Sequence, residues 1–180
     1  MRSFYELFDL DLLAQRAVAA GFSKKLARLS IAGYRAPRWI SSAGRVAPPV
    51  SASRGVIAGC SLATTWVKVY CLQPFLQFTG RHLNCKLDAY IDDLTVSLVA
   101  DSAEELEEQM VNAGLDLFRM VKEELKGEIA MEKSVVIASC DKVAAAVAAR
   151  LGCLGVVPAK ATASLGVDLT SGRKRKVHVD

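Results

Sequence analysis

Cysteine and histidine at metal-ligand spacing are missing from this sequence. The five cysteines are scattered singly, with no Cys-x-x-Cys pair, and most lie in apolar stretches where a thiol behaves as a small hydrophobic group. The two histidines, His82 and His178, have no partner at ligand spacing. We therefore expect neither a zinc site nor a disulfide framework, and the sequence assigns no role to either histidine.

Long apolar runs are also missing. The longest uncharged run, residues 55–67, is far shorter than the ~20 apolar residues of a membrane span. The N-terminus continues with Phe4, Tyr5 and Glu6 rather than with the basic and then apolar residues of a signal segment. The expectation is an intracellular protein, with the nucleus as one candidate compartment, that is neither secreted nor membrane-inserted.

Charge is distributed unevenly behind a net value of +4. Residues 1–50 carry eight Lys or Arg against three acidic residues, residues 101–133 carry ten acidic residues against four basic ones, and residues 173–176 read Arg-Lys-Arg-Lys. Basic segments favour a polyanionic partner, because Lys and Arg displace counterions from phosphates. Solvated helix faces and a basic end explain the same charges equally well.

Helix signals alternate with short strand signals along the chain. After a short strand-like start, Asp9 is an N-cap for a helix that Gly21 ends, and Ser102 with Glu105 forms a capping box for a long helix that Gly127 ends. Further helices are predicted over 24–33, 62–75 and 142–151, a hairpin around 41–44, and strands over 129–131, 134–138 and 165–169. This pattern indicates an α+β fold in one domain, residues 1–170, followed by a basic tail, residues 171–180.

Two adjacent aspartates stand in the middle of the most strand-like segment, residues 87–100. Apolar residues on both sides of Asp92 and Asp93 predict two short strands joined by an acidic turn. Carboxylates held at one tip are the oxygen ligands that Mg²⁺ requires. Asp is also common in turns for conformational reasons alone, so the dipeptide by itself does not establish a site.

Five segments resemble motifs of one family. Residues 90–93, Tyr-Ile-Asp-Asp, resemble the Tyr-x-Asp-Asp signature of reverse transcriptases. Residues 53–62 resemble the Arg-Gly-Val-x-Gln-Gly-Ser-Pro-Leu segment, and residues 5–13 resemble the Phe-Asp-x-Val-Asp-His-x-Leu-Leu pattern. Residues 129–134 resemble Leu-Asn-x-x-Lys-Thr, and residues 165–167 resemble the short Leu-Gly-x strand that closes the palm. The chain is thus similar to the palm of reverse transcriptases of retroelements, of the LINE or group II type.

The resemblance implies a polymerase palm, in which an antiparallel sheet carries Glu6, Asp92 and Asp93 on one face and helices pack on the other face. The implied activity is RNA-directed DNA polymerisation, a template-directed nucleotidyl transfer that uses two Mg²⁺ ions, with Mn²⁺ as the alternative. Asp92 and Glu6 would hold the metals and Asp93 would assist.

The resemblance also implies residues that contact the substrates. Lys133 would meet a phosphate or donate a proton to the leaving pyrophosphate, although a charge at a strand edge explains it equally well. The implied partners are an RNA or DNA template with its primer, and deoxynucleoside triphosphates. The residues expected beside them are Arg54, Gly55, Ala58, Gly59 and Tyr90.

Three departures from the family pattern support an alternative. Glu6 stands where the first motif has Asp, Ala58 where the second has Gln, and Ala130 where the fourth has Asn. Fingers and thumb segments are expected to be largely missing from the residues given. The alternative is therefore a catalytically degenerate remnant of a retroelement that folds and at most binds nucleic acid. A structural α+β domain without either activity is a third interpretation.

Overall fold

The computed structural model describes residues 4–57, 59–90, 92–164 and 167–170, with side chains through residue 162. Its elements confirm a mixture of helices and short strands. The helices are α1 (Leu10–Ala19), α2 (Lys24–Arg35), α3 (Ala63–Arg81), α4 (Ala103–Arg119) and α5 (Asp141–Arg150). The strands are β1 (Ser41–Ser42), β2 (Arg45–Val46), β3 (Cys85–Tyr90), β4 (Asp93–Leu98), β5 (Val135–Val136), β6 (Val157–Pro158), β7 (Ala161–Ser164) and β8 (Val167–Thr170).

The described strands form four separate two-stranded sheets and do not join into a larger one. Three pairs are antiparallel, β1 with β2, β3 with β4, and β7 with β8, whereas β5 and β6 are parallel. A two-stranded ribbon is only marginally stable by itself, so packing against a helix is needed. The hairpin of β3 and β4 meets this need by contacting both α3 and α4.

The start of the chain is not the strand that its sequence indicates. Phe4–Glu6 form a single 3-10 turn, and both Phe4 and Phe8 are buried. Their rings meet edge to face with centroids 4.9 Å apart. An extended segment would separate residues four apart by about 13 Å, so this aromatic contact requires the chain to curl.

The predicted helix caps are confirmed. The Asp9 carboxylate accepts hydrogen bonds from the amides of Asp11 and Leu12, both at 3.0 Å, and the Ser102 hydroxyl accepts one from the amide of Glu105 at 3.1 Å. These bonds satisfy amides that have no partner inside the helix. Local sequence therefore determines where α1 and α4 begin.

α3 extends six residues beyond its predicted end at Phe75, reaching Arg81. Trp66, Tyr70, Pro74 and Phe78 follow one another at four-residue intervals and are all buried. Residues at this spacing share one helix face, and their burial outweighs the hydrogen bond that Pro74 cannot donate. The sequence predicts that Trp66, Tyr70, Phe75 and Phe78 are core residues rather than a base-stacking platform. Three of them are buried and Phe75 packs partly buried against the core, which confirms the prediction.

The hairpin of β1 and β2 is confirmed, with a tighter turn than predicted. Ala43 and Gly44 have φ angles of +49° and +74°, so Ser41 and Ser42 belong to the strand. Two successive residues with positive φ give the twist that suits a two-residue hairpin turn. The ribbon is exposed on both faces.

The predicted strands after α4 are shorter than expected. Met131–Lys133 form a 3-10 turn, and the predicted strand over 134–138 is reduced to β5. Of the predicted last strand, residues 165 and 166 lie outside the described residues and the remainder belongs to β8. No helix in the described part of the chain is long and apolar enough to cross a membrane.

α4 separates two hydrophobic cores. The larger core lies among α1, α2, α3 and the first turn, and the smaller one is formed by Val111, Val147, Leu151 and Val156. Gly114 permits the close approach of α5, because a Cβ placed there would lie 2.9 Å from a Leu151 methyl carbon. The smaller core packs α5 and the β5–β6 pair onto the rest of the protein.

Arg16 and Tyr70 join three parts of the larger core. The Arg16 guanidinium donates to the carbonyl of Tyr70 and, at 2.9 Å, to the carbonyl of Glu124, and it lies 4.8 Å from the centre of the Tyr70 ring. The Tyr70 hydroxyl donates to the Leu125 carbonyl at 3.0 Å. These bonds connect α1 and α3 to the turn of π-helix, Met120–Glu124, that follows α4.

Gly55 lets the first turn dock against the loop before α3. Its amide donates to the Phe8 carbonyl at 2.8 Å, and the amide of Val56 donates to the Tyr5 carbonyl at 2.7 Å. Gly55 has a φ of +92°, and a Cβ there would lie 3.0 Å from both the Glu6 Cα and the Tyr5 oxygen. A side chain is therefore excluded by backbone conformation and by contact with backbone atoms.

We expect Gly55→Ala to lower the free energy of unfolding by about 2–3 kcal/mol, because it adds a backbone clash to the cost of a positive φ. Gly59→Ala is the matched control, since Gly59 has a φ of +85° but a Cβ there would meet no atom within 4 Å. The control substitution should lower the free energy of unfolding by only about 1 kcal/mol. Urea unfolding measures both, and equal losses would show that the contact with the first turn contributes nothing.

Candidate functional site

The acidic hairpin has the structure that its sequence predicts. β3 and β4 pair antiparallel from Cys85 opposite Leu98 to Tyr90 opposite Asp93, and Asp92 lies in the turn before β4. Tyr90 is 59% exposed, Asp93 is exposed and Asp92 is half-buried. Ile91 lies outside the described residues. The described part of the tip therefore exposes an aromatic ring and the Asp93 carboxylate, with Asp92 half-buried beside them in the chain.

Alternation of side chains along the two strands orients this hairpin. Leu87, Leu94 and Val96 pack against the larger core. On the outer face Lys86 and Asp88 form an exposed ion pair at 2.9 Å. Because neighbouring residues on a strand face opposite sides, burying the apolar set determines the register and leaves the tip at the surface.

Glu6 does not join Asp92 and Asp93 in a cluster of ligands. It is exposed in the 3-10 turn of residues 4–6, where its backbone lies against Gly55. Within residues 4–57, 59–90, 92–164 and 167–170, no group of three or more Asp, Glu, His or Cys side chains is arranged to hold a metal ion. Metal binding by Glu6, Asp92 and Asp93 therefore stays a prediction, which this arrangement of the described residues does not by itself support.

The remaining predicted site residues belong to two separate segments, the loop before α3 and the turn before β5. Lys133 is exposed at the end of the 3-10 turn before β5 rather than on a strand. Arg54 is exposed, and its backbone forms an isolated antiparallel bridge with Asp9. Gly55 is buried, Gly59 is exposed, and Ala58 lies outside the described residues.

Asp116 is the centre of a charged cluster that the sequence analysis does not predict. Its carboxylate accepts hydrogen bonds from Arg81 Nε at 2.8 Å and from Arg119, and lies 3.0 Å from His82 Nε2. Asp116 is the only buried charged residue in the part of the chain that the structure describes. His82 thus has a partner after all, one that lies 34 residues away in sequence.

A local signal for this cluster does exist. Asp116 lies on the same face of α4 as the buried Ala113, and the buried Met120 follows four residues later, just after the helix. A charged residue on an otherwise apolar helix face is rarely buried without a partner. Sequence alone does not identify the partners, because Arg81 and His82 come from the end of a different helix.

The Asp116 cluster links α4 to the acidic hairpin. His82 follows the last residue of α3, and its carbonyl accepts a hydrogen bond from the amide of Cys85, the first residue of β3. Burial raises the pKa of Asp116, but hydrogen bonds from Arg81, His82 and Arg119 outweigh it and hold the pKa below its usual value. The ionised carboxylate therefore helps to position the strand that ends in Tyr90.

Comparisons with models of known families, with curated proteins and with solved structures found no match for this chain. The resemblance to reverse transcriptases accordingly depends on the sequence motifs themselves.

We expect Asp116→Asn to lower the free energy of unfolding by about 1–3 kcal/mol at pH 7, because a buried carboxylate with three donors is lost. Asp88→Asn removes an exposed ion pair with Lys86 and should change the free energy of unfolding by less than about 0.5 kcal/mol. Urea unfolding of both variants tests the expectation, which fails if the two losses are equal.

The effect of Asp116→Asn should depend on pH. A carboxyl group whose pKa is lowered on folding contributes its full stabilisation above the unfolded value of about 3.9, and loses it as the pH falls through the folded value. The difference between wild type and variant should therefore be constant from pH 7 to about pH 5 and shrink below pH 4. A difference that persists unchanged at pH 3 would show that the carboxylate charge is not responsible.

Proposed function

We propose that the chain is the palm part of a reverse-transcriptase-like polymerase and contributes to template-directed nucleotidyl transfer. The observation that carries this proposal is the β3–β4 hairpin, whose exposed tip holds Tyr90 and Asp93 as a cross-strand pair with Asp92 in the turn. The sequence of this tip matches the Tyr-x-Asp-Asp pattern of reverse transcriptases, and Tyr90 and Asp93 are exposed.

The proposed site residues divide into metal ligands and residues that contact the substrates. Asp92 and Asp93, together with Glu6, are the proposed ligands of Mg²⁺ or Mn²⁺. Within the described part of the chain these carboxylates do not form a group of three ligands. Tyr90 offers a ring surface beside the carboxylates for a base or sugar. Arg54 and Lys133 are exposed cations that suit phosphate groups.

The charge of the first half of the chain supports a nucleic acid partner. Residues 12–87 contain eleven Lys or Arg and no acidic residue. The exposed cations include Lys24, Lys25 and Arg28 on α2 and Arg45 on the ribbon of β1 and β2. The ribbon segment also exposes Trp39 by 61% and Ile40 by 68%. Exposed cations and an aromatic ring suit the phosphates and bases of a nucleic acid.

A second candidate function is binding of nucleic acid without polymerisation. The observation that favours it is the position of Glu6, which lies in a 3-10 turn and does not complete a group of three carboxylates with the hairpin. A retroelement remnant would retain the fold and the basic surface while losing the metal site. Binding and primer extension therefore have to be measured separately.

We predict weak, sequence-independent binding of a primer–template that weakens steeply as salt rises. Arg28→Gln with Arg45→Gln should reduce the salt slope, the change in log affinity per log salt concentration, by about 0.7–0.9 for each charge that meets a phosphate. Lys122→Gln with Lys142→Gln removes the same charge from exposed positions outside residues 12–87 and should change the slope less. Titration of labelled primer–template at 50 and 150 mM salt measures the slopes.

A salt-independent affinity would contradict phosphate contact. Equal slopes for the two double variants would contradict the location of the nucleic acid surface. Neither result depends on catalysis, so the binding proposal and the polymerase proposal can fail separately.

Glu6→Asp should raise primer extension in a longer polypeptide that supplies fingers and thumb segments. A carboxylate shorter by one methylene group would restore the family residue at this position. A misplacement of about 1 Å costs on the order of a hundredfold in rate, so the gain should be easy to detect. Asp92→Asn in the same polypeptide should abolish extension, because it removes a charge at nearly constant shape.

Extension without Mg²⁺ or Mn²⁺, or extension that survives Asp92→Asn, would overturn the polymerase mechanism. No extension by any variant, together with salt-dependent binding, would instead favour the nucleic-acid-binding remnant.

A further inference from the structure

A surface cleft lies between the end of α3 and one face of α4. Its volume is about 370 Å³, within the range of small-molecule sites. Its α4 side is a stripe of residues at positions 112, 115, 116 and 119, which share one helix face, and its other side is the end of α3. We call it the α3–α4 cleft, and it is lined by Arg81, His82, Asn112, Leu115, Asp116 and Arg119.

Positive charge exceeds negative charge in the α3–α4 cleft. Two guanidiniums and one carboxylate line it, which leaves a net charge of +1 when His82 is neutral. Asp116 accepts hydrogen bonds from Arg81 Nε and from Arg119. Glu124 lies 4.0 Å from Arg81 Nη2, which is too far for a hydrogen bond. Because a guanidinium carries five N–H donors, both arginines keep donors for a bound anion.

Asp116 holds the two guanidiniums in place before a ligand binds. Its carboxylate is buried, whereas the side chains of Arg81 and Arg119 are 41% and 60% exposed. Donors fixed in this way lose little side-chain entropy on binding, and the planar guanidinium suits the paired oxygens of a phosphate. Asn112, exposed one turn before Asp116, offers an additional amide donor, and Leu115 offers an exposed apolar surface.

The charges beyond the cleft favour a small ligand over a nucleic acid strand. Glu108 and Glu105 lie four and seven residues before Asn112 on the same face of α4, and both are exposed. A strand that ran along α4 from the cleft would meet these carboxylates, and like charges repel. A single phosphate group meets only the cleft, and a small apolar group attached to it contacts Leu115.

We propose that the α3–α4 cleft binds a small molecule that carries a phosphate monoester group. The phosphate oxygens accept hydrogen bonds from the remaining N–H groups of Arg81 and Arg119 and from the Asn112 amide. Asp116 acts by keeping both arginines in position. The cleft shares no residue with the tip of the acidic hairpin, so the proposal does not depend on nucleotidyl transfer.

The test is titration of the ¹⁵N-labelled full chain with inorganic phosphate and with phenyl phosphate at pH 7, with chloride at equal ionic strength as the blank. The backbone amide signals of His82, Asn112 and Arg119 should shift and saturate with a dissociation constant of about 1 mM, the affinity of two or three charged hydrogen bonds. Phenyl phosphate should bind more tightly than inorganic phosphate, because its ring contacts Leu115.

Arg119→Gln should weaken phenyl phosphate binding by at least about tenfold, because it removes a charged donor while Asp116 keeps its other two partners. Arg150→Gln is the matched control, since Arg150 is also a half-exposed arginine paired with a carboxylate, that of Glu107 at 3.2 Å, but does not line the cleft. The control should change the affinity by less than about twofold.

The proposal is overturned if the shifts do not saturate, if they lie outside the α3–α4 cleft, or if both variants lose affinity equally. Tighter binding of inorganic phosphate than of phenyl phosphate would overturn the assignment to a monoester. A single-stranded oligonucleotide that shifts the same amides at lower concentration would also overturn it and make nucleic acid the occupant. If Arg119→Gln fails to fold, the position and saturation of the wild-type shifts decide alone.

Discussion

The stacking of Arg16 on Tyr70 is the interaction on which the larger core depends. The guanidinium satisfies carbonyls of Tyr70 and Glu124, and the tyrosine hydroxyl satisfies that of Leu125. The turn of π-helix after α4 leaves carbonyl groups without partners inside a helix, and these donors from α1 and α3 replace them. The Tyr70 ring also packs edge to face on Phe8, with centroids 4.4 Å apart. One residue pair thus connects the first turn, two helices and the end of α4.

The packing of α3 and α4 determines where the acidic hairpin lies, because the pairing of its two strands alone does not. α3 leads into β3 through His82, and Asp116 on α4 binds the end of α3 through Arg81 and His82. The inner faces of both strands then pack on the larger core. Because a two-stranded ribbon has little stability alone, the location of Asp92 and Asp93 depends on the packing of α3 and α4.

The first turn bears on the two candidate functions through Glu6. Gly55 allows the backbone of Tyr5 and Glu6 to approach the loop before α3, so this turn is held by backbone contacts and aromatic packing. A metal site would require the Glu6 carboxylate to reach the hairpin tip, and the described residues contain no such three-ligand group. The hairpin favours the polymerase interpretation, and the first turn favours nucleic acid binding without polymerisation. Measuring primer extension and primer–template binding separately distinguishes the two.

The sequence alone determined the features that depend on near neighbours. These include the Asp9 and Ser102 caps, the approximate positions of the five described helices, and a hairpin of two strands around Asp92 and Asp93, because capping, helical periodicity and strand alternation act within a few residues. Only the tertiary structure decided the rest. Phe4 and Phe8 curl the predicted strand into a turn, and the described strands form separate pairs. Asp116 meets His82, and Tyr34 meets Cys60, across 34 and 26 residues respectively. Such contacts depend on how helices pack, which local patterns do not encode.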